Sequence, residues 1–189
     1  MTRLRNRRTC FILISILLLI QGTATAQEAA LTNIIVTNTR DDLLLYLEVE
    51  GAFRDEMKMA ILSGVPATFS YFITLHKVRT LWKDKEITDL KISHTIKYDN
   101  LKKEFMVKRS WQNGNPVVTK SFEEAQKLMR EIDSLKVVSL STLEKGSQYQ
   151  LGAKAKLSKL TLPFYLHRVL FFLSAWDFET DWYTIDFIY

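Results

Sequence analysis

Cysteine is almost missing from this chain, with only Cys10 in 189 residues. A lone cysteine makes no intramolecular disulfide and supplies no thiolate cluster for zinc. Histidine is scarce too, and His76, His94 and His167 fall on three separate stretches. None forms the i, i+2 strand pair or the i, i+4 helix pair that metal sites use. His94 shares its strand parity with apolar residues and reads as a hydrogen-bonded core histidine. No Asn-x-Ser/Thr sequon, Gly-x-Ser-x-Gly elbow, phosphate loop, Gly-x-Gly-x-x-Gly or Ser-x-x-Lys occurs. No low-complexity segment or linker divides the chain. The residues therefore nominate no catalytic group, no cofactor and no metal site.

What is present begins with an export pattern. Arg3, Arg5, Arg7 and Arg8 precede an apolar run of 11 residues, Cys10 to Ile20, and Ala24-Thr25-Ala26 follows. A basic start, a short apolar core and small residues at −3 and −1 describe a secretory signal cleaved after Ala26. The rival is a retained inner-membrane anchor, but the run is well short of the roughly 18–20 residues that cross a bilayer. Cleavage leaves 189 − 26 = 163 residues, expected to form one domain from 27 to 189. It also removes four arginines, so 26 − 4 = 22 basic residues face 21 acidic ones and the net charge falls from +5 to +1. A nucleic-acid partner loses its electrostatic basis. The sequence thus predicts an exported, periplasmic protein without cysteine.

The mature chain is patterned mainly for strands. Phe53, Met57, Ala60 and Ile61 recur at helical spacing, Gly64 and Pro66 end that helix, and from Ala67 the period changes to two. Ala67, Phe69, Tyr71, Ile73 and Leu75 face one way. Leu43 to Glu50 is a strand with Leu43, Leu45, Leu47 and Val49 inward, and Ile34 to Thr37 is a short strand after a loose lead-in. Lys83 to Glu86 reads as a solvated connection. Leu90 to Tyr98, Leu101 to Trp111 and Val117 to Lys120 form a meander through turns at Asp99-Asn100 and Asn113-Gly114. Ser121 with Glu124 is a capping box, and Ala125, Leu128, Met129 and Ile132 share the face of a helix drawn over 122–134. Val137-Val138 is a short strand and Tyr149 to Leu157 a clear one.

The C-terminal part differs in character, because residues 160–189 hold 10 of the 22 aromatics. Pro163 opens a helix through Ser174, and Tyr183, Ile185, Phe187 and Tyr189 alternate as a closing strand. The tail is expected to cap the core, with Trp176 and Trp182 buried and Leu170 against the sheet. Asp177, Glu179, Asp181 and Asp186 lie among these aromatics, a composition that suits a glycosidase site but also an aromatic strand with polar outward positions. Aromatics at the last and third-last positions also suit an outer-membrane barrel, against which the two amphipathic helices argue. Lys154 with Lys156 marks a solvated strand face.

Several short motifs occur in a fixed order: Gly64-Val65-Pro66-Ala67-Thr68-Phe69, Tyr98-Asp99-Asn100-Leu101, Tyr149-x-Leu151, Leu162-Pro163 and the Trp176 to Trp182 pair. Together with the signal, they resemble domain-of-unknown-function family 4390, small exported bacterial proteins, over most of residues 31–189. Relatives commonly carry a second proline where this chain has Phe164-Tyr165-Leu166. The resemblance implies no activity and no site residues. It does imply a possible partner, since a neighbouring gene in relatives often encodes a membrane sensor kinase of the nitrogen-regulation type.

The predicted fold is α+β and β-rich, an antiparallel sheet or a β-sandwich (immunoglobulin-like among the options) with two or three packed helices. For function the first expectation is a non-catalytic periplasmic interaction module acting on a membrane-embedded signalling or envelope protein. Trp176, Asp177 and Trp182 are its candidate contact residues. The alternatives are a carrier of an apolar ligand and a hydrolase using the acidic aromatic C-terminal region.

Overall fold

A computed structural model of the chain describes residues 29–158 and 178–189. The expected export signal, the helix drawn from Pro163, and Leu170, Trp176 and Asp177 lie outside the described residues.

The described part of the chain opens with a hairpin of β1 (Ala30–Asn38) and β2 (Asp42–Glu50). Thr39 Oγ1 accepts the amides of Asp41 and Asp42, so a side chain holds the turn. β1 is longer than its apolar alternation suggests, because Ala30 and Leu31, expected as a lead-in, pair with Glu50 and Val49. A bulge at Asn33 (φ 51°) separates this added pairing from the regular part and breaks the period. In β2, Leu43, Leu45, Leu47 and Val49 are all buried, as the period of two requires.

Helix α1 (Asp55–Leu62) follows and buries Met57, Ala60 and Ile61. Its end is a Schellman motif. Val65 donates to the Ala60 carbonyl and Gly64 to the Ile61 carbonyl, with Gly64 at φ 89°. The chain leaves directly into β3 (Ala67–Lys77), whose Ala67, Phe69, Tyr71, Ile73 and Leu75 are buried.

β3 pairs with β4 (Lys85–Asp99), β4 with β5 (Glu104–Arg109), and β5 with β6 (Val117–Thr119), all antiparallel, which is the meander read from the sequence. β4 starts earlier than expected. Lys85 and Glu86, read as part of a solvated connection, pair with Lys77 and His76. Exposed charges are compatible with an extended, paired backbone, and composition alone hid this end of the strand.

Helix α2 (Phe122–Arg130) is capped by Ser121, whose hydroxyl accepts the Glu124 amide at 3.2 Å. Only this half of the capping box forms, because Thr119 Oγ1 takes both the Glu124 carboxyl contact and the Ser121 amide. The helix stops at Arg130, four residues before its expected end, and β7 (Glu131–Ser139) begins at once. Ile132, placed by spacing on the helix, is instead a buried strand residue opposite Leu47. The unpaired edge of β2 offered a full ladder of backbone partners, which outweighs one more helical turn. A 3-10 turn (Leu140–Thr142), β8 (Gln148–Ser158) and β9 (Tyr183–Ile188) complete the described elements.

Two open antiparallel sheets result, one in the order β1-β2-β7 and one in the order β6-β5-β4-β3-β8-β9. Their inner faces and the two helices share one hydrophobic core, from Leu45 and Leu47 on one side to Phe69, Tyr71 and Leu151 on the other. Of the two predicted arrangements, the fold is thus the sandwich-like α+β form.

Candidate functional site

β9 is the edge of the larger sheet among the described residues, and the chain reaches it through a short second pairing with β8. Leu157 donates to the Phe178 carbonyl, Thr180 donates to Ala155 O, and Ala155 donates to Thr180 Oγ1. Phe178 meets Phe69 edge-on at 5.0 Å, and Thr180 is buried. This part of the tail therefore closes the core, as expected.

Trp182 does not. It is 49 % exposed, against the expectation of burial. The reason is parity: Trp182 shares its side of the strand with Thr184 and Asp186, on the face turned away from the core. Its indole lies over Gly152, where an added Cβ would sit 3.4 Å from Trp182 Cε3 and 2.7 Å from Thr74 Oγ1. Lys154 Nζ stands 5.8 Å from the indole centroid.

Beside this ring Glu179 bridges two lysines, Lys154 and, at 2.6 Å, Lys156. Hydrogen bonds from Lys154 and then Lys156 hold the Glu179 carboxyl down at about 2. Such a carboxylate stays ionised near neutrality and is a poor proton donor. Asp186 accepts instead from Gln150 Nε2 at 3.1 Å. Lys156 and Gln150 are six positions apart on β8, about 20 Å at strand rise, so Glu179 and Asp186 are not brought together. Asp181 is exposed. A cleft of about 420 Å³ runs between Ala29–Leu31 and Glu179–Tyr183, with Glu179, Thr180 and Asp181 in its wall. The result is an aromatic and ionic ridge at a sheet edge.

The parts of this ridge were visible in the sequence, but their assembly was not. Lys154 and Lys156 share a parity, and Glu179 was among the acids singled out. The pairing of Glu179 with Lys156 depends on the register of residues 178–180, for which no local pattern exists.

A second polar group lies inside the protein. Met129 O, in the last turn of α2, accepts from Tyr71 Oη at 2.5 Å and from His94 Nδ1 at 3.1 Å. His94 Nε2 accepts from Trp111 Nε1 at 3.0 Å. His94 is fully buried, and burial lowers its pKa from 6.5 to about 4, with a smaller contribution from Arg109. Burial likewise pushes the Tyr71 hydroxyl far above its usual range. This network satisfies a helix-end carbonyl, and the core role expected for His94 holds. Among the described residues no three His, Cys, Asp or Glu side chains converge as a metal site, and no helix is long and apolar enough to cross a membrane.

A family model described as a domain of unknown function (DUF4390) matches residues 26–186. No curated protein and no solved structure matches the chain.

Proposed function

The chain belongs to this family, and on that premise we propose that it is a non-catalytic interaction module of the periplasm, acting on a membrane-embedded signalling or envelope protein. The observation that carries the proposal is the ridge at β9. An edge strand keeps one row of backbone groups for a partner strand. Beside that row stand the half-exposed Trp182 and Tyr183, with Glu179 bridging Lys154 and Lys156 of the neighbouring strand. Aromatic anchors with a polar rim are the make-up of a protein contact surface. Export rests on the basic start, the short apolar run and Ala24-Thr25-Ala26.

The alternatives receive less support. A hydrolase in this region would need a protonated carboxyl beside a second one, whereas Glu179 is held ionised by two lysines. A carrier of an apolar ligand would need apolar walls, whereas Glu179 and Asp181 line the cleft.

The test is capture from native membranes with tagged protein, run in parallel for wild type, Trp182→Ser/Tyr183→Ser and a control double change at Lys108 and Lys120. A membrane protein retained by wild type and the control but lost with the ridge variant, at equal thermal midpoints, supports the proposal. Capture that ignores the ridge variant overturns it.

A further inference from the structure

The most exposed tryptophan among the described residues lies at the opposite end of β8 from the ridge. β3 and β4 are long strands whose last pair is Lys77 with Lys85, and Val78 still donates to the Gln148 carbonyl. Beyond Val78 the chain leaves the sheet, and every residue from Arg79 to Glu86 is exposed. At the tip stand Leu81 and Trp82, 87 % and 80 % exposed. Two large apolar side chains side by side at a convex tip lose the gain that burial would give them.

The charge around this pair has one dominant sign. Residues 77–86 carry Lys77, Arg79, Lys83 and Lys85 against Asp84 and Glu86, a balance of 4 − 2 = +2. Asp84 accepts the Arg79 amide at 2.9 Å and so holds the loop's own backbone. Glu144, facing the loop from the connection before β8, pairs with Lys77 and is offset by its neighbour Lys145. The same end of the sandwich carries Ile188, 76 % exposed, while Arg40 and Lys145, with Asp41 as the one acid, line a cleft with Tyr189.

We propose that the β3–β4 tip is a membrane-docking element, with Leu81 and Trp82 inserted into the interface of an anionic lipid surface and Arg79, Lys83 and Lys85 against its headgroups. Tryptophan and leucine at the apolar boundary, with lysine and arginine at headgroup level, is the arrangement of interfacial anchors. A convex wedge suits a lipid surface, which needs no preformed pocket to receive it. A protein groove would have to match both side chains in shape. This inference does not depend on the β9 ridge or on its partner.

Trp82 is its own reporter. The protein, with the N-terminus it carries in the cell envelope, is mixed with vesicles of brominated phosphatidylglycerol and phosphatidylcholine, or of brominated phosphatidylcholine alone. Any contribution of the N-terminal segment is common to all variants, so the signal is the difference between wild type and Trp82→Phe. The expected result is quenching on the anionic vesicles that disappears in Trp82→Phe while co-sedimentation persists. Lys83→Gln/Lys85→Gln should weaken binding about tenfold to thirtyfold, from roughly 1 kcal/mol for each cation near an anionic surface. Leu81→Ser/Trp82→Ser should weaken it at least about tenfold. Absence of Trp82-specific quenching overturns the proposal. So does equal quenching on both lipids, or a Leu81→Ser/Trp82→Ser variant that binds as wild type does. Capture of a membrane protein through Trp82 without quenching would assign the tip to a protein partner and overturns it as well.

Discussion

Trp111 donates its indole N–H to Nε2 of His94 across 3.0 Å, and this contact fixes the state of the histidine. An indole nitrogen only donates, so Nε2 must carry the lone pair and Nδ1 the proton that goes to Met129 O. A proton added at Nε2 would face another N–H inside the core. Burial and this geometry act in the same direction, and the neutral ring is the one that fits.

Stability should therefore depend on pH through His94. The folded ring resists protonation until about pH 4, whereas the unfolded ring takes a proton near 6.5. Between these values the unfolded chain binds more protons. The contribution is complete above 6.5, declines as the pH falls and is gone below about 4, in total roughly 3 kcal/mol. Urea midpoints at pH 7.5, 5.5 and 4.5 should fall in that order. His94→Gln should be less stable at pH 7.5 and show a flatter profile, and a slope equal to wild type would refute the assignment.

Gly64→Ala should cost about 1–2 kcal/mol, the penalty of an L side chain in the left-handed region. The added methyl would also come within 3.0 Å of Asn100 Nδ2, a movable side-chain end that can give way. Equilibrium denaturation with an unchanged slope measures the difference, and an unaltered midpoint would contradict the motif.

Gly152→Ala probes the ridge from below. A methyl there meets Thr74 Oγ1 at 2.7 Å and the Trp182 ring at 3.4 Å. Destabilisation of about 1–3 kcal/mol is expected, with a red-shifted Trp182 emission as the ring is lifted. Thr74→Ala should recover part of the loss, which a general folding defect would not allow.

Glu179 offers a local titration. Its carboxyl should show a midpoint near 2 by NMR, below the 4.5 of a free glutamate. Its contribution is complete above 4.5 and is lost as the pH falls from there towards 2. Because the site is exposed to solvent, salt should move the midpoint back towards 4.5. A midpoint insensitive to Lys154→Gln would remove the lysine bridge as the cause.

Periodicity revealed those parts of the fold where one face is buried and one is wet. Ala67 to Leu75 and Tyr149 to Leu157 were readable because each side chain reports its face. Gly64 was readable because helix ends need a residue free of the Cβ restriction. The α2–β7 boundary was not, because Ile132 satisfies helical spacing behind Met129 and strand parity opposite Leu47 equally well. Of the candidate site, Trp182 was expected to be buried, although its parity with Thr184 and Asp186 was available and points it outward. The partnership of Glu179 with Lys154 and Lys156 is a matter of register between distant segments, and residue order carries no trace of it.

Arg130 closes α2 and Glu131 opens β7 with no residue between them. Glu131 is already extended, at φ −99° and ψ 134°, while Met129, two residues back, is held from the opposite sheet by Tyr71 and His94. Such a joint has no pivot. Helix and strand form a crank whose arm is anchored across the sandwich, so a displacement applied to one sheet is delivered to the other with little slack. The two layers should breathe together: the amides of Leu45, Met129 and Tyr71 belong to one cooperative exchange unit, opening at a single rate.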